Sequence, residues 1–343
     1  MRILIISPSW IGDMVMSQSL YITLKQQYPE ALIDVLAPAW CKPILERMPQ
    51  VHQAIEMPLG HGDFNFLGRR ALGKELALQH YTHAFVLPNS AKSALIPWFA
   101  GIPVRTGWKG EMRYGLLTDL RSNKKDFQYM VERYVALAHP KSDMQSSASL
   151  PGLEQLPKPK LHIDAFTQSR SIDKFDLNQD RAIIGLCPGA EFGPAKQWPV
   201  EHYAAVADEF ISQGKQVWLF GSAKDQITTD AIKQKISVEN QVHTYDLAGK
   251  TNLIEAVDLL GACETVISND SGLMHVAAAV GCQVIGVYGS TSPQYTPPLA
   301  DKVAIVHTDI ECRPCFKREC PLKHLKCLKE LAPEQVLNAY RSL

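Results

Sequence analysis

Asp13 is the first residue of the chain whose type and position suit chemistry. It follows an apolar run at residues 3–7 and stands where a loop leads into the helical spacing of residues 13–28. A carboxylate here could be a helix N-terminal acid stabilised by the helix dipole, or a general base that takes the proton from a hydroxyl. Gly12 precedes it and permits close approach of the backbone to another molecule.

A second polar loop, residues 188–199 (PGAEFGPAKQWP), follows the apolar run at residues 183–187. It lacks the spacing of a P-loop and of the dinucleotide fingerprint. It still has the parts of an anion site, because it holds flexible glycines at 189 and 193, the cation of Lys196, and a helix N-terminus that Pro199 sets. A diphosphate is the anion that suits this loop best. The alternative is an ordinary strand–helix connector with an exposed lysine.

A third loop, residues 268–275 (SNDSGLMH), again follows a strand and opens a helix. Its N–H groups, the hydroxyl of Ser271 and Gly272 suit a phosphate. His275 lies about one turn into the helix, on the side that can face the same guest, although a single helical histidine is more often structural. Residues 286–293 (GVYGSTSP) follow the next strand and add small polar groups at the same sheet edge. Together these loops favour a nucleotide site more than any one motif does.

A cysteine-rich segment, residues 312–327 (CRPCFKRECPLKHLKC), lies near the end of the chain. Four cysteines with a Cys-x-x-Cys start, and a histidine nearby, raise a structural metal site as a candidate. The spacing fits no standard zinc ribbon, and the alternative is a compact loop with free thiols or a facultative disulfide. The candidate ligands are Cys312, Cys315, Cys320 and Cys327.

Strand–helix alternation must position these loops. Strands are predicted at 3–7, 32–37 and 83–87 in the first half, and at 183–187, 216–220, 265–268 and 283–288 in the second, with helical spacing between them. This alternation predicts parallel sheets, whose ligands bind at the carboxyl ends of strands. Residues 140–180, rich in Ser, Pro, Lys and Asp, predict a domain boundary.

Composition narrows the function classes. The 343 residues are enough for two domains, and a formal net charge of zero argues against a nucleic-acid binder. Residues 1–140 hold 15 Lys and Arg against 11 Asp and Glu, with the excess between 61 and 140. That excess is either a solvated surface or a face for an anionic acceptor or membrane. No signal peptide or spanning segment is apparent, so we expect a cytoplasmic protein.

Four segments in combination resemble the family 9 glycosyltransferases. They are residues 10–17 (WIGDMVMS), residues 105–117 (RTGWKGEMRYGLL), residues 188–199 and residues 269–275, and the resemblance runs along nearly the whole chain. It implies an α/β fold of GT-B architecture, with two Rossmann-like doubly wound domains facing each other across a cleft. The acceptor domain would span 1–165 and the nucleotide-sugar domain 178–325, while a C-terminal helix at 326–343 could pack back on the first domain.

The activity that the resemblance implies is an inverting glycosyl transfer. L-glycero-D-manno-heptose would move from ADP-heptose to the first heptose of the lipopolysaccharide inner core. Transfer of the first or the third heptose is an alternative within the family. A GT-B-like nucleotide-sugar epimerase and a non-catalytic nucleotide-binding scaffold are alternatives of other classes.

Residue roles follow from the same resemblance. Asp13 would be the general base, and Lys196 would pair with the diphosphate of the leaving group. The donor site would be lined by Gly189, Lys196, Trp198, Thr251, Asp270, Ser271, Gly272 and His275. The acceptor side would hold Trp10, Gly12, Ser17, Arg105, Lys109 and Arg113. Six cations are expected to steer the anionic acceptor or the membrane surface: Arg105, Lys109, Arg113, Arg121, Lys124 and Lys125.

The resemblance implies no required cofactor and no metal bound by an Asp-x-Asp motif, although a divalent cation could stimulate transfer. The expected partners are ADP-heptose and the inner-core glycolipid, met at the periphery of the inner membrane. No nucleic acid and no oligomer are predicted.

Overall fold

The computed structural model describes residues 1–60 and 62–343. Within them the chain forms two compact units, Met1–Pro159 and Lys160–Leu343. Each unit is built on a parallel sheet with helices, so the predicted α/β class is confirmed.

The first unit carries a six-stranded parallel sheet in the order β3-β2-β1-β4-β5-β6. Its strands are β1 Arg2–Ile6, β2 Leu32–Ala37, β3 Gln53–Glu56, β4 His83–Val86, β5 Val104–Trp108 and β6 Asp119–Arg121. Its helices are α1 Ile11–Gln27, α2 Lys42–Glu46, α3 Phe66–Ala77, α4 Ala91–Phe99 and α5 Met130–Val135.

Strand β1 lies at the centre of this sheet, between β2 and β4. Ile3, Leu4, Ile5 and Ile6 are all buried, as expected of a strand covered on both faces. Helix α1 then begins after Trp10, and its first turn holds Asp13. The apolar run therefore fixes where Asp13 emerges, which is at the carboxyl end of the central strand.

The second unit carries another six-stranded parallel sheet, in the order β12-β11-β10-β7-β8-β9. Its helices are α6 Ala165–Lys174, α7 Val200–Ser212, α8 Gln226–Lys235, α9 Leu253–Leu260, α10 Gly272–Ala279, α11 Lys326–Lys329 and α12 Pro333–Arg341. Its strands are β7 Ile183–Cys187, β8 Gln216–Leu219, β9 Thr244–Asp246, β10 Thr265–Asn269, β11 Gln283–Val287 and β12 Val303–Val306.

Both sheets have the doubly wound strand order of a Rossmann-like fold. If each sheet is numbered from its own first strand, the order is 3-2-1-4-5-6 in both. The point where the order reverses lies between β1 and β4 in the first unit, and between β7 and β10 in the second. The three polar loops singled out from the sequence follow β1, β7 and β10, so each starts at a switch point, where such sheets bind ligands.

Residues 160–177 belong to the second unit, although the sequence prediction gave 160–165 to the first domain and left 166–177 between the two domains. Helix α6 packs against α9, and the Gln168 side-chain amide donates to the Asp258 carbonyl at 2.6 Å. The Asp164 carboxylate caps α6 by accepting from the Thr167 N–H at 2.8 Å. The stretch between the predicted domains is therefore a structured part of the second sheet's helical cover.

Helix α12 packs on α7, β11 and β12 within the second unit. Val336 is fully buried there, and the ring of Tyr340 meets Phe210 edge-on at 4.8 Å between centroids. The expectation that the C-terminal segment packs back on the first unit stays a prediction. No helix in the described residues is both long enough and apolar enough to cross a membrane.

Candidate functional site

In the second unit, an ion pair joins the loops that follow β7 and β10. Lys196 lies at the end of a short 3-10 turn, Pro194–Lys196, and Asp270 follows the last residue of β10. The Lys196 Nζ lies 2.6 Å from Asp270 Oδ2 and also donates to the Asp270 backbone carbonyl at 3.1 Å. The structure thus brings together two residues predicted for the donor site, 74 positions apart in the sequence.

The Asp270 carboxylate has a second donor. Thr291 Oγ1 donates to the same oxygen, Oδ2, at 2.6 Å. The Asp270 side chain is 5% exposed and that of Lys196 is 14% exposed, so the pair is shielded but can be reached from solvent on the lysine side. A site of this kind offers one positive charge that is already balanced, and an incoming anion must compete with Asp270 for it.

His275 lies one turn into α10 and is buried. Burial lowers the pKa of His275 to about 4; the charge of Asp270 opposes this shift, and that of Lys196 adds to it. The imidazole is therefore neutral at pH 7. It can donate or accept a hydrogen bond, but it adds no positive charge to the site.

The N-terminus of α10 lies beside the ion pair. Ser271 is its N-cap residue and Gly272 its first residue, and both are partly exposed. The Ser271 hydroxyl lies 3.2 Å from that of Ser268, so either can donate. The first N–H groups of a helix have no partner within the helix, which makes this end suitable for a phosphate next to Lys196.

Trp198 does not line the predicted donor site. Its indole is 1% exposed and donates from Nε1 to the Leu331 carbonyl at 2.8 Å, while its backbone N–H donates to Asn269 Oδ1 at 3.1 Å. The ring therefore belongs to the core of the second unit. Its contribution is to fasten the loop that carries Lys196 to the end of β10, so its predicted contact with the donor is corrected to a supporting role.

Gly189 and Thr251 lie on neighbouring loops of the same unit. A Cβ added at Gly189 would stand 2.6 Å from the carboxylate of Asp225, so the glycine allows that close approach. The Thr251 hydroxyl donates to the Leu247 carbonyl at 3.4 Å and is partly exposed. The contacts described here for Gly189 and Thr251 are not with Lys196 or Asp270. The role of both residues toward the donor stays a prediction.

Asn269, the first residue of the 269–275 motif, has a structural role that the sequence alone did not predict. Its Nδ2 donates to the Pro188 carbonyl at 2.6 Å, and its Oδ1 accepts from the Trp198 N–H and from the Tyr203 hydroxyl at 3.0 Å. A fully buried amide thereby ties the end of β10 to the loop after β7. Only the position of Asn269 at a strand end hinted at this.

In the first unit, Asp13 is partly exposed in the first turn of α1. Trp10 precedes the helix with 49% of its surface exposed, and Gly12 is partly exposed. Lys124 is a cation near Asp13. Burial lowers the pKa of Lys124, nearby arginines lower it further, and the Asp13 carboxylate opposes them. The Lys124 Nζ also donates to Asn89 Oδ1 at 3.3 Å.

Several predicted acceptor-side residues are used within the fold instead. The Ser17 hydroxyl is fully buried, donates to the Met14 carbonyl at 2.7 Å and lies 2.8 Å from the Tyr21 hydroxyl. The Arg105 guanidinium donates to the carbonyls of Ile102 and Leu116. Ser17 therefore contributes to the core of the first unit and not to an acceptor surface.

Arg113 and Arg121 are 1% and 2% exposed. Arg113 donates to the carbonyls of Trp108 and Pro88, and Arg121 donates to two carbonyls and pairs with Asp119 at 2.8 Å. Their charges hold loops together and are not presented to solvent. The predicted set of steering cations is thus corrected: among its members, Lys109 and Lys125 are exposed.

The eight cysteines are all free thiols. The four of the cysteine-rich segment line one cavity of about 20 Å³, together with Ala195 and Ser290 of the second unit's loops. Backbone N–H groups of residues 322–325, that of Leu325 foremost, hold the pKa of the Cys320 thiol below its usual range. Among the described residues, no three His, Cys, Asp or Glu side chains are arranged to hold a metal ion.

Comparison with known proteins gives consistent results. The family model described as "Glycosyltransferase family 9 (heptosyltransferase)" matches residues 69–326. The chain is 48% identical over 344 aligned residues to lipopolysaccharide heptosyltransferase 2 of Escherichia coli K12, covering all of this chain and 98% of that protein. It is 56% identical over 310 residues to lipooligosaccharide heptosyltransferase 2 of Haemophilus influenzae, covering 89% and 88%. The solved structure of E. coli ADP-heptose lps heptosyltransferase II matches with a TM-score of 0.88 at 47% identity, covering 100% and 98%.

Proposed function

The chain belongs to glycosyltransferase family 9, and from that premise we propose that it moves L-glycero-D-manno-heptose from ADP-heptose to the first heptose of the lipopolysaccharide inner core. It is a glycosyltransferase, and its similarity to heptosyltransferases 2 extends over its whole length. Neither transfer of the first or third heptose nor epimerisation is favoured by these similarities.

The observation that carries the proposal within the molecule is the Lys196–Asp270 pair beside the N-terminus of α10. A diphosphate can take one or more of the helix N–H groups and draw Lys196 away from Asp270. When the glycosidic bond to ADP breaks, negative charge grows on the leaving phosphate. A lysine and helix N–H groups in place before the reaction stabilise that charge without reorganisation.

The acceptor hydroxyl needs a base, and Asp13 is the residue that we assign. Inversion follows from a direct attack of this hydroxyl on the anomeric carbon, on the face opposite ADP. The carboxylate takes the hydroxyl proton as the new bond forms. Its partial exposure in the first turn of α1, at the carboxyl end of β1, supports this role.

Neutral His275 completes the donor side in this proposal. Since it is uncharged at pH 7, its ring can hydrogen-bond to the sugar or to phosphate without pairing with Asp270. Ser271 and Gly272 offer a hydroxyl and backbone N–H to the same ligand. No redox or group-carrying cofactor is needed, because ADP-heptose brings its own leaving group. Stimulation by a divalent cation would be detected by adding Mg²⁺ to chelator-treated enzyme.

The acceptor is a phosphorylated, carboxylate-bearing glycolipid, so we propose that the reaction takes place at the cytoplasmic periphery of the inner membrane. The exposed ammonium groups of Lys109 and Lys125 support contact with such an anionic surface. Lys109 stands over the ring of Tyr114 at 5.4 Å from its centroid, which keeps the charge at the surface.

The decisive experiment is transfer from ADP-heptose to two purified acceptors, a core without heptose and a core with one heptose. We expect product only with the one-heptose core, measured by mass spectrometry of the lipid. Product with the heptose-free core would reassign the enzyme to the first transfer. ADP release with neither acceptor would remove the acceptor assignment, and failure to bind ADP-heptose would remove the function as a whole.

A further inference from the structure

The loop after β11, residues 289–291, touches the ion pair on one side and the cysteine-rich segment on the other. Toward the ion pair, Thr291 Oγ1 donates to Asp270 Oδ2, the oxygen that also accepts from Lys196 Nζ. Thr291 is 8% exposed and Asp270 is 4% exposed. The hydroxyl is therefore held where it fixes the orientation of this carboxylate.

Removing the Thr291 hydroxyl would take away one of the donors to Asp270 Oδ2 and so change how strongly that oxygen holds Lys196. A carboxylate oxygen with two donors has its charge shared between them, so it holds each less tightly than it would hold one alone. Thr291 thus acts on Lys196 through Asp270, without touching the lysine.

On the other side, the Arg313 side chain binds backbone carbonyls of the same loop. Its Nε donates to the Gly289 carbonyl at 3.0 Å, and its Nη2 donates to the Thr291 carbonyl at 3.2 Å. The Phe316 N–H donates to the Ser290 carbonyl at 2.8 Å. Three consecutive carbonyls of this short loop are therefore held by the cysteine-rich segment.

The segment also holds the turn that carries Lys196. The Ala195 N–H donates to the Arg318 carbonyl at 3.0 Å, and the Ala195 carbonyl accepts from the Ser290 N–H at 3.1 Å. Arg318 and Lys196 both lie over the ring of Phe192, at 5.6 and 5.0 Å from its centroid. Residues 313–318 thus connect the lysine turn and the threonine loop into one hydrogen-bonded assembly.

We propose that Thr291 and Arg313 are positioning residues for the donor diphosphate. Arg313 acts as part of the cysteine-rich segment, residues 312–327, which holds the loop 289–291 in place and is called the brace below. This inference rests on the proposed function of Lys196. The Arg313 guanidinium donates to backbone carbonyls. It therefore supports the site and does not bind the diphosphate. Thr291 orients Asp270, and the brace holds Thr291 at the distance from Lys196 that the donor requires.

Thr291→Val tests the first step, since it removes the hydroxyl at nearly constant shape. We expect the affinity for ADP, measured by calorimetry, and kcat/KM for ADP-heptose to fall about 10- to 100-fold, the usual cost of a hydrogen bond to a charged group. Thr291→Ser should restore both, and Ser169→Ala, which removes an exposed hydroxyl of α6, should leave both unchanged.

Arg313→Gln tests the brace, with Arg341→Gln on the exposed end of α12 as its matched control. We expect weaker ADP binding for Arg313→Gln alone, at a melting temperature that still shows a folded protein. The Thr291 variants do not depend on whether Arg313→Gln folds. A Thr291→Val enzyme that binds ADP like the unmodified protein, or a Thr291→Ser enzyme as impaired as Thr291→Val, would overturn the inference. If the unmodified protein binds neither ADP nor ADP-heptose, the proposed function itself has failed.

Discussion

Asp13 illustrates how a single carboxylate can be tested for catalysis separately from binding. Asp13→Asn keeps the shape and removes the proposed base, so kcat should fall by roughly 10²–10⁴ while ADP affinity is nearly unchanged, because the proposed donor contacts lie in the second unit. Steady-state kinetics and calorimetry on the same preparation measure the two effects. Asp143→Asn, an exposed carboxylate of the first unit, is the control. A fully active Asp13→Asn enzyme would mean that another group is the base.

His275 gives a pH dependence whose sign can be worked out. Its pKa is about 4 in the folded protein, below the ordinary value of 6.5, chiefly because it is buried. The unfolded chain therefore binds a proton between pH 6.5 and 4 that the folded chain does not. Stability from this residue is complete above pH 6.5 and is lost as pH falls toward 4, by up to about 3 kcal/mol.

The measurement is the melting temperature of the protein and of His275→Gln between pH 7 and 4.5. Other groups titrate in both proteins, so the difference between the two curves isolates the histidine. The unmodified protein should lose more stability over this interval. Parallel curves would show that His275 takes up its proton at the same pH in the folded and the unfolded chain, which would contradict the lowered pKa.

At the scale of elements, a buried carboxylate network joins the strands at one side of the first sheet. Asp34 of β2 is fully buried and pairs with Arg2 of β1 at 3.0 Å and with His52 at 2.8 Å. It also accepts from the Tyr81 hydroxyl at 2.7 Å. Both carboxylate oxygens are thus satisfied by groups from three separate segments of the chain.

Asp34→Ala should therefore destabilise the first unit by about 1–3 kcal/mol, because it leaves the buried Tyr81 hydroxyl without its acceptor, whereas the partly exposed side chains of Arg2 and His52 can turn to water. Urea unfolding monitored by circular dichroism gives the change. Asp173→Ala, an exposed carboxylate of α6, should change the free energy of unfolding by less than about 0.5 kcal/mol. Equal changes in the free energy of unfolding would show that the Asp34 network stabilises the fold no more than a single exposed carboxylate does.

Elements were also what the sequence predicted best. Apolar runs such as residues 3–6 predict a strand buried on both faces, and the loop after such a strand must emerge at its carboxyl end. Contacts between distant loops were not predictable, because no local pattern shows that Thr291 reaches Asp270. Arg113 shows the reverse error. A charge counted as surface on the sequence is buried, since its guanidinium donates to the carbonyls of Trp108, at the end of β5, and of Pro88.

At the scale of the whole molecule, net charge is zero, but its distribution is uneven, with the excess of cations in residues 1–140. Burial of Arg113 and Arg121 removes part of that excess from the surface. The cations that stay exposed include Lys109 and Lys125. Each would contribute about 1 kcal/mol near the anionic membrane surface that we propose as the place of reaction.

The double substitution of Lys109 and Lys125 by Glu should therefore raise KM for an acceptor embedded in anionic vesicles and weaken the dependence of KM on salt. Lys329→Glu with Arg341→Glu makes the same change in net charge on exposed residues of the second unit and should leave KM unchanged. Sedimentation with vesicles of defined anionic content provides a second measurement. An unchanged KM in the first pair would show that acceptor binding does not use this surface.

The Lys196–Asp270 pair has a consequence for the design of inhibitors. A compound aimed at this site meets a lysine whose charge is already neutralised at 2.6 Å by a shielded carboxylate. A neutral replacement for the diphosphate has nothing with which to displace that carboxylate, so it would gain little from the lysine. An inhibitor of the proposed donor site has to carry at least one full negative charge where we propose that the phosphate binds, or else fit around the closed pair and draw its affinity from other contacts.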